Sequence, residues 1–270
     1  MTPSSSPPAG FTEPAKKQFG QHFLADRYYV DKIVMAVNPV AGDNLVEIGP
    51  GQGAITFPLL RKHPRLTVIE FDRDLIAPLA AAAAPLGELT IIHRDVLQVD
   101  FSALAEPGRK IRLVGNLPYN ISSPILFHAL EHAAAISDMT FMLQKEVVDR
   151  MAAGPGSKVY GRLSVMLQAY CRVDSLFIVP PGAFRPAPKV DSAVVRMVPK
   201  PAEKITVIDH ASFANVVRAA FGQRRKTLRN ALNGVADVAM IEAAGLRADL
   251  RAEQVAVADF VQLANLLTNT

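Results

Sequence analysis

Thiols are almost missing from this chain. Cys171 is the single cysteine among 270 residues, which excludes an intrachain disulfide framework and a Cys-rich zinc site. A reducing compartment follows as the expectation, with the cytoplasm as the default. Apolar runs long enough to span a membrane are lacking as well, so no membrane partner is expected. The opening "MTPSSSPPAGFTEP" has no apolar h-region, and residues 1–14 are expected to form a disordered lead. The histidines lack metal-ligand spacing: His128 and His132 stand four apart on an expected helix, but no third ligand accompanies them. No metal is expected.

Two phosphate-binding signatures are also missing. The first apolar run leads into Glu47-Ile48-Gly49-Pro50-Gly51-Gln52-Gly53, whose spacing is G-x-G-x-G with a proline inside it, not the dinucleotide G-x-G-x-x-G. No Lys-Ser/Thr pair ends it as in a P-loop. Glycines at a strand-to-helix turn still let a ligand approach the backbone closely.

What is present is a rhythm. The runs "NLVEIG", "LTVIEF", "LTIIHRD", "IRLVGN" and "MTFMLQ" are continuously apolar, as strands buried on both faces are, and helical segments separate them. The pattern predicts an open α/β sheet, mainly parallel, with helices on both faces and a ligand site at the carboxyl ends of its strands. "GRLSVMLQAY" and "SLFIVPP" are read with the sheet layer, and "AVVRMV" alternates like a partly exposed strand. From about Ile205 the apolar spacing turns helical, which predicts a smaller C-terminal helical domain.

Glu70 ends the second run and Asp95 the third. Taken singly, either reads as a helix cap or a turn residue. Together, beside the glycine loop, they form a socket for a nucleoside whose remaining charge is positive. S-adenosylmethionine fits: adenine toward Asp95, ribose hydroxyls on Glu70, and the amino-acid end along Gly49 and Gly51.

Charge is unevenly placed. Between Pro181 and Asn230 stand ten Lys or Arg against three acids, while the whole chain is only +4. A polyanion partner and a solvated helix face are both open readings of that segment.

The remaining motif is "LVGNLPYNIS", an apolar run that stops on Asn116-Leu117-Pro118-Tyr119. With "KKQFGQHFLAD", "VEIGPGQGAIT", "FMLQKEVVDRM", "FRPAPKVDSAVVRMVP" and "FGQRRKTLRN", it makes the chain resemble the small-subunit ribosomal RNA adenine dimethyltransferase family of the KsgA type, from about Lys16 onward. The resemblance implies a Rossmann-like class I methyltransferase domain over residues 15–203 and an RNA-contacting helical domain over residues 204–270. It implies transfer of methyl groups from S-adenosylmethionine to two adjacent adenosines in a hairpin loop of 16S ribosomal RNA. The expected partner is the small ribosomal subunit in a pre-30S particle, met by a monomer.

In such enzymes the Asn-Leu-Pro-Tyr tetrapeptide clamps the target base. An exocyclic adenine amine is a poor nucleophile, because its lone pair is delocalised into the ring. The Asn116 side-chain oxygen and the Leu117 carbonyl can hold its two N–H groups and turn the lone pair toward the methyl, which is positioning rather than base catalysis. Pro118 stiffens the turn, and Tyr119 offers a flat face to the extruded base.

By the same resemblance Phe184 covers the base's other face; from the residues alone it reads equally as a loop anchor packed on the core. His22 and Leu24 belong to an N-terminal lid over the cofactor. Many relatives carry Asn at the His22 position, and imidazole cannot reproduce an amide's pairing. Arg224, Arg225 and Lys226, with Lys189, are the implied RNA contacts. The rivals are a large-subunit methyltransferase of the macrolide-resistance type, against which "QRRKT" argues, and an assembly-checkpoint binding protein.

Overall fold

A computed structural model describes Lys16, residues 21–223 and residues 225–268. The expected lead over residues 1–14, Phe19 of the lid motif and Arg224 lie outside the described residues.

A short strand β1 (Phe23–Leu24) precedes helix α1 (Arg27–Val37), whose first turn is capped by the Asp26 carboxylate accepting from the Tyr28 N–H. Strands and helices then alternate: β2 (Asn44–Ile48), α2 (Thr56–Lys62), β3 (Arg65–Glu70), α3 (Arg73–Ala83), β4 (Glu88–His93), β5 (Ile111–Asn116), α4 (Ser122–Glu131) and β6 (Ile136–Gln144). There follow α5 (Lys145–Ala152), α6 (Arg162–Tyr170), β7 (Cys171–Val179), the short β8 (Phe184–Arg185) and β9 (Ser192–Pro199). The chain ends in helices α7 (His210–Gly222), α8 (Leu228–Ala231), α9 (Val238–Ala243) and α10 (Val257–Thr268).

Seven strands form one sheet in the order β4-β3-β2-β5-β6-β9-β7. The first five pair in parallel, and β9 runs antiparallel to β6. Chain order reverses between β2 and β5, and at such a switch point the loops diverge and leave a crevice beyond the strand ends. The glycine loop follows β2 and the Asn-Leu-Pro-Tyr turn follows β5, so neighbouring strands carry both motifs to that crevice. Gly115 makes the pairing possible, because a Cβ there would stand 2.6 Å from the Ile48 carbonyl oxygen.

At the other end of the sheet, Arg112 of β5 is bonded to Asp43 at 2.6 Å and to Asp138 of β6 at 2.7 Å, and donates to the Val37 carbonyl. The pairs clamp the ends of α1, β2, β5 and β6 away from the crevice.

Two of the expectations need correcting. "GRLSVMLQAY" is the helix α6, not part of the sheet: its apolar residues pack all round, since it lies within a helical cluster against α7 and α10. "AVVRMV" is not partly exposed, because β9 sits inside the sheet between β6 and β7 and buries most of its residues on both faces.

The chain forms two compact units. One takes the residues up to Lys145 together with Leu176–Met197, and the other takes Glu146–Ser175 with the residues from Val198 onward. A cut between residues 203 and 204 therefore does not separate the packing units, since residues 146–175 fall in the same unit as the C-terminal helices and α6 packs on α7 and α10. In that second unit the Tyr160 hydroxyl donates to the Val255 carbonyl at 2.9 Å, and Phe213 and Phe260 are fully buried.

Candidate active site

A cleft of about 270 Å3 lies at the switch point, lined among others by Glu47, Gly49, Gly51, Glu70, Asp95 and Asn116. His22, Leu24, Leu117, Pro118 and Tyr119 line it too, so the expected cofactor socket and base clamp form one cavity.

The glycine loop is shaped by backbone geometry. Gly49 and Gly51 adopt φ of +66° and +56°, and a Cβ on Gly51 would press on the Phe23 ring at 3.1 Å. Glu70 holds this loop in place: one carboxylate oxygen accepts from the Gly51 N–H at 3.2 Å and the other from the Asp72 N–H at 2.7 Å. Burial pushes the Glu70 carboxyl above its ordinary pKa, against the opposing pull of those backbone donors.

Asp95 is a capping residue that also stands at the cleft. One oxygen caps the short turn after it by accepting from the Leu97 N–H at 3.0 Å, and the residue also lines the cleft.

Glu47, which opens the glycine motif, was not singled out in the sequence. It is fully buried, accepts from the Thr56 hydroxyl at 2.6 Å and is pushed up to about 8, chiefly by burial, with the Glu70 charge adding to the rise. The acidic residue directly before Ile48-Gly49 was the available signal. Two buried carboxyls with raised pKa values favour a cationic ligand over an anionic one, because a nearby positive charge stabilises their ionised forms.

The clamp turn hangs between two strands. The Leu117 N–H donates to the Met142 carbonyl at 3.1 Å, which leaves the Leu117 carbonyl unengaged by the described residues. The Asn116 amide nitrogen donates to the His22 carbonyl at 3.0 Å. Tyr119 is held from behind by a 2.6 Å hydrogen bond to the Ser192 hydroxyl, and its ring stacks against His22 at 5.7 Å between centroids.

A strap over the cleft carries His22. Lys16 and Gln21 bind the Asp72 carboxylate, at 2.5 and 3.1 Å, on the β3 side. Beyond them, β1 pairs antiparallel with β8, and the Ala25 N–H donates to the Ala183 carbonyl at 2.8 Å.

That pairing corrects one expectation. Phe184 stands opposite Leu24, is wholly buried among the core side chains and does not line the cleft. Its ring supports the strap from beneath instead of offering a face to a base. The other basic candidates are exposed: Lys189 in the loop before β9, and Arg225 and Lys226 in the turn between α7 and α8. His128 and His132 pack on Phe101 and bond to the Val99 carbonyl and the Ser102 hydroxyl; among the described residues no group of three or more His, Cys, Asp or Glu could hold a metal. No helix among them is long and apolar enough to cross a membrane.

This sheet order, with acids and a glycine loop on one side of the switch point and an amide turn on the other, defines a class I methyltransferase that uses S-adenosylmethionine. The chain belongs to the ribosomal RNA adenine dimethylase family, whose model matches residues 12–269. It is 74% identical over 258 residues to proteins named ribosomal RNA small subunit methyltransferase A from Xanthomonas campestris pv. campestris and Xanthomonas axonopodis pv. citri, covering 96% of this chain and 98% of each relative. Among solved structures it is similar to a dimethyladenosine transferase from Plasmodium falciparum, with a TM-score of 0.78 and 26% identity over 90% of this chain and 96% of that one. The 23S ribosomal RNA methyltransferase ErmE shares the fold, with a TM-score of 0.69 and 24% identity over 91% of this chain and 99% of that one.

Proposed function

We propose that this enzyme dimethylates the N6 amines of two adjacent adenosines in a hairpin loop near the 3' end of 16S ribosomal RNA, acting as a monomer on a pre-30S particle in the cytoplasm. The observation that carries the reading is the joint placement of the Asn116 amide and the Leu117 carbonyl at the rim of the cofactor cleft. The identity to small-subunit methyltransferases supports the substrate and disfavours the large-subunit alternative.

When bound, S-adenosylmethionine supplies an electrophilic methyl group on a sulfonium. Glu70 receives the ribose hydroxyls, Asp95 the adenine amine and the Gly49–Gly51 backbone the amino-acid end, while His22 and Leu24 close over them. On the target, the Asn116 oxygen and the Leu117 carbonyl accept the two N–H bonds and aim the lone pair. Tyr119, with one face on His22, keeps the other for the extruded base. The amine becomes acidic once alkylated, so its proton can leave to water and no strong base is required. Pro118 keeps the Leu117 carbonyl turned to the substrate. Lys189, Arg224, Arg225 and Lys226 contact RNA phosphates, with the helices from residue 204 onward as the docking part.

The test is mass mapping of methylated adenosines after purified protein, labelled cofactor and undermethylated small subunits are incubated together. Dimethyladenosine at two neighbouring positions of the small-subunit RNA is expected. Methylation confined to large-subunit RNA would overturn the assignment.

A further inference from the structure

An amide side chain has two ends, and the clamp works only if Asn116 shows its oxygen to the substrate. The Asn116 nitrogen is 3.0 Å from the His22 carbonyl oxygen. With the amide reversed, two acceptors would face each other at that distance, so the carbonyl fixes which end is free. His22 immediately precedes β1, and its own ring is pinned: Nδ1 lies 2.9 Å from the Pro186 carbonyl, beyond β8, and the ring stacks on Tyr119. Since a carbonyl only accepts, Nδ1 carries the proton, in the neutral ring and in the imidazolium alike.

We propose that His22 is a positioning residue for methyl transfer: its side chain, tied to Pro186 and laid on Tyr119, holds its carbonyl where it orients the Asn116 amide. The strap thus does more than cover the cofactor, and the base clamp is complete only when the strap is seated. This deepens the function proposed above and rests on the role given there to Asn116.

Geometry makes the dependence one-directional. His22 touches the Pro186 carbonyl, the Asn116 amide nitrogen and the Tyr119 ring, and of these it is Asn116 that, with Leu117, meets the reacting amine. Loss of the His22 side chain should therefore act through Asn116, and its cost should disappear where Asn116 is already gone.

The test is single-turnover methylation of undermethylated small subunits at saturating cofactor and RNA, with His22→Ala, Asn116→Ala and the double variant. Thermal unfolding checks that each is folded. His22→Ala should slow the rate about tenfold, and in the Asn116→Ala background it should slow it less than about twofold further. His22→Asn keeps a donor for the Pro186 carbonyl and should recover to within about threefold of wild type. His22→Phe keeps a ring on Tyr119 without the donor and should stay as slow as His22→Ala. Multiplicative losses in the double variant, or a His22→Ala defect confined to the KM for the cofactor, would overturn the proposal while leaving the clamp intact. A near-normal Asn116→Ala would overturn both.

Discussion

Thr56 and Glu47 form a closed pair: the threonine hydroxyl donates to the carboxylate at 2.6 Å, and both residues are fully buried beneath the glycine loop. Burial raises the Glu47 pKa to about 8 from 4.5. Between those two values the folded state holds a proton that the unfolded chain has released, so stability contributed by this site is present below about pH 4.5 and is lost as the pH rises through about 8. Glu47→Gln keeps an acceptor for Thr56 and removes the titration. Its stability should exceed that of wild type at pH 8 by on the order of 4 kcal/mol, and the difference should vanish near pH 4.5. Urea denaturation at several pH values measures this, and parallel pH profiles would contradict it.

Glu70→Ala should weaken cofactor binding on two counts, since the proposed site gives Glu70 the ribose hydroxyls and its carboxylate also anchors the Gly51 N–H. S-adenosylmethionine should raise the Tm of wild type, as any ligand selective for the folded state does, and the rise should be largely lost in the variant. Calorimetric titration should show affinity reduced by about tenfold or more, one charge-assisted contact being worth about 1.5–3 kcal/mol. An unchanged affinity would remove Glu70 from the site.

Asn116→Ala should act on turnover. Losing one preorganised polar contact to the reacting group costs about two to three powers of ten in kcat. Folding should be little affected, because the amide's hydrogen bond to the strap is only partly buried. Rapid-quench methylation on saturating substrate gives the number, and a wild-type rate would refute the clamp.

Arg225 and Lys226 are exposed in the turn between α7 and α8, with no side-chain partner among the described residues. If they and Arg224 meet phosphates, the triple alanine variant should bind small subunits more weakly, with the log–log salt slope reduced by roughly 0.7–0.9 for each lost contact. Cofactor affinity should be unchanged, as the cleft is lined by other residues. Equal affinity with parallel salt plots would move the RNA contact to Arg185 and Lys189.

Arg112→Ala removes the ion-pair partner of Asp43 and one of the two arginines on Asp138, which keeps Arg196. Breaking a buried pair outright costs about 3–5 kcal/mol, and with Arg196 still in place the loss read by chemical denaturation should fall at or below the lower end of that range. Because the cluster lies at the strand ends away from the cleft, kcat of the folded fraction should hold.

The sequence by itself determined the sheet and which motifs meet at its crevice, since each needs particular residue types at short spacing. Continuous apolar runs mark strands covered on both faces, glycines mark the close-approach loop at Gly49 and Gly51, and Asn116 to Tyr119 are consecutive. Tertiary structure decided what depends on partners distant along the chain. Phe184 is core because β8 pairs with β1, and α6 is a helix among helices because α7 and α10 pack against it. The Glu47 pKa rises to about 8 because burial in the sheet excludes water from it, which outweighs the lowering effect of the Thr56 hydroxyl. The direction of the Asn116 amide is set by His22, 94 residues earlier. Burial and hydrogen bonding at such separations arise only once the chain has closed on itself, and no local pattern of residue types encodes them.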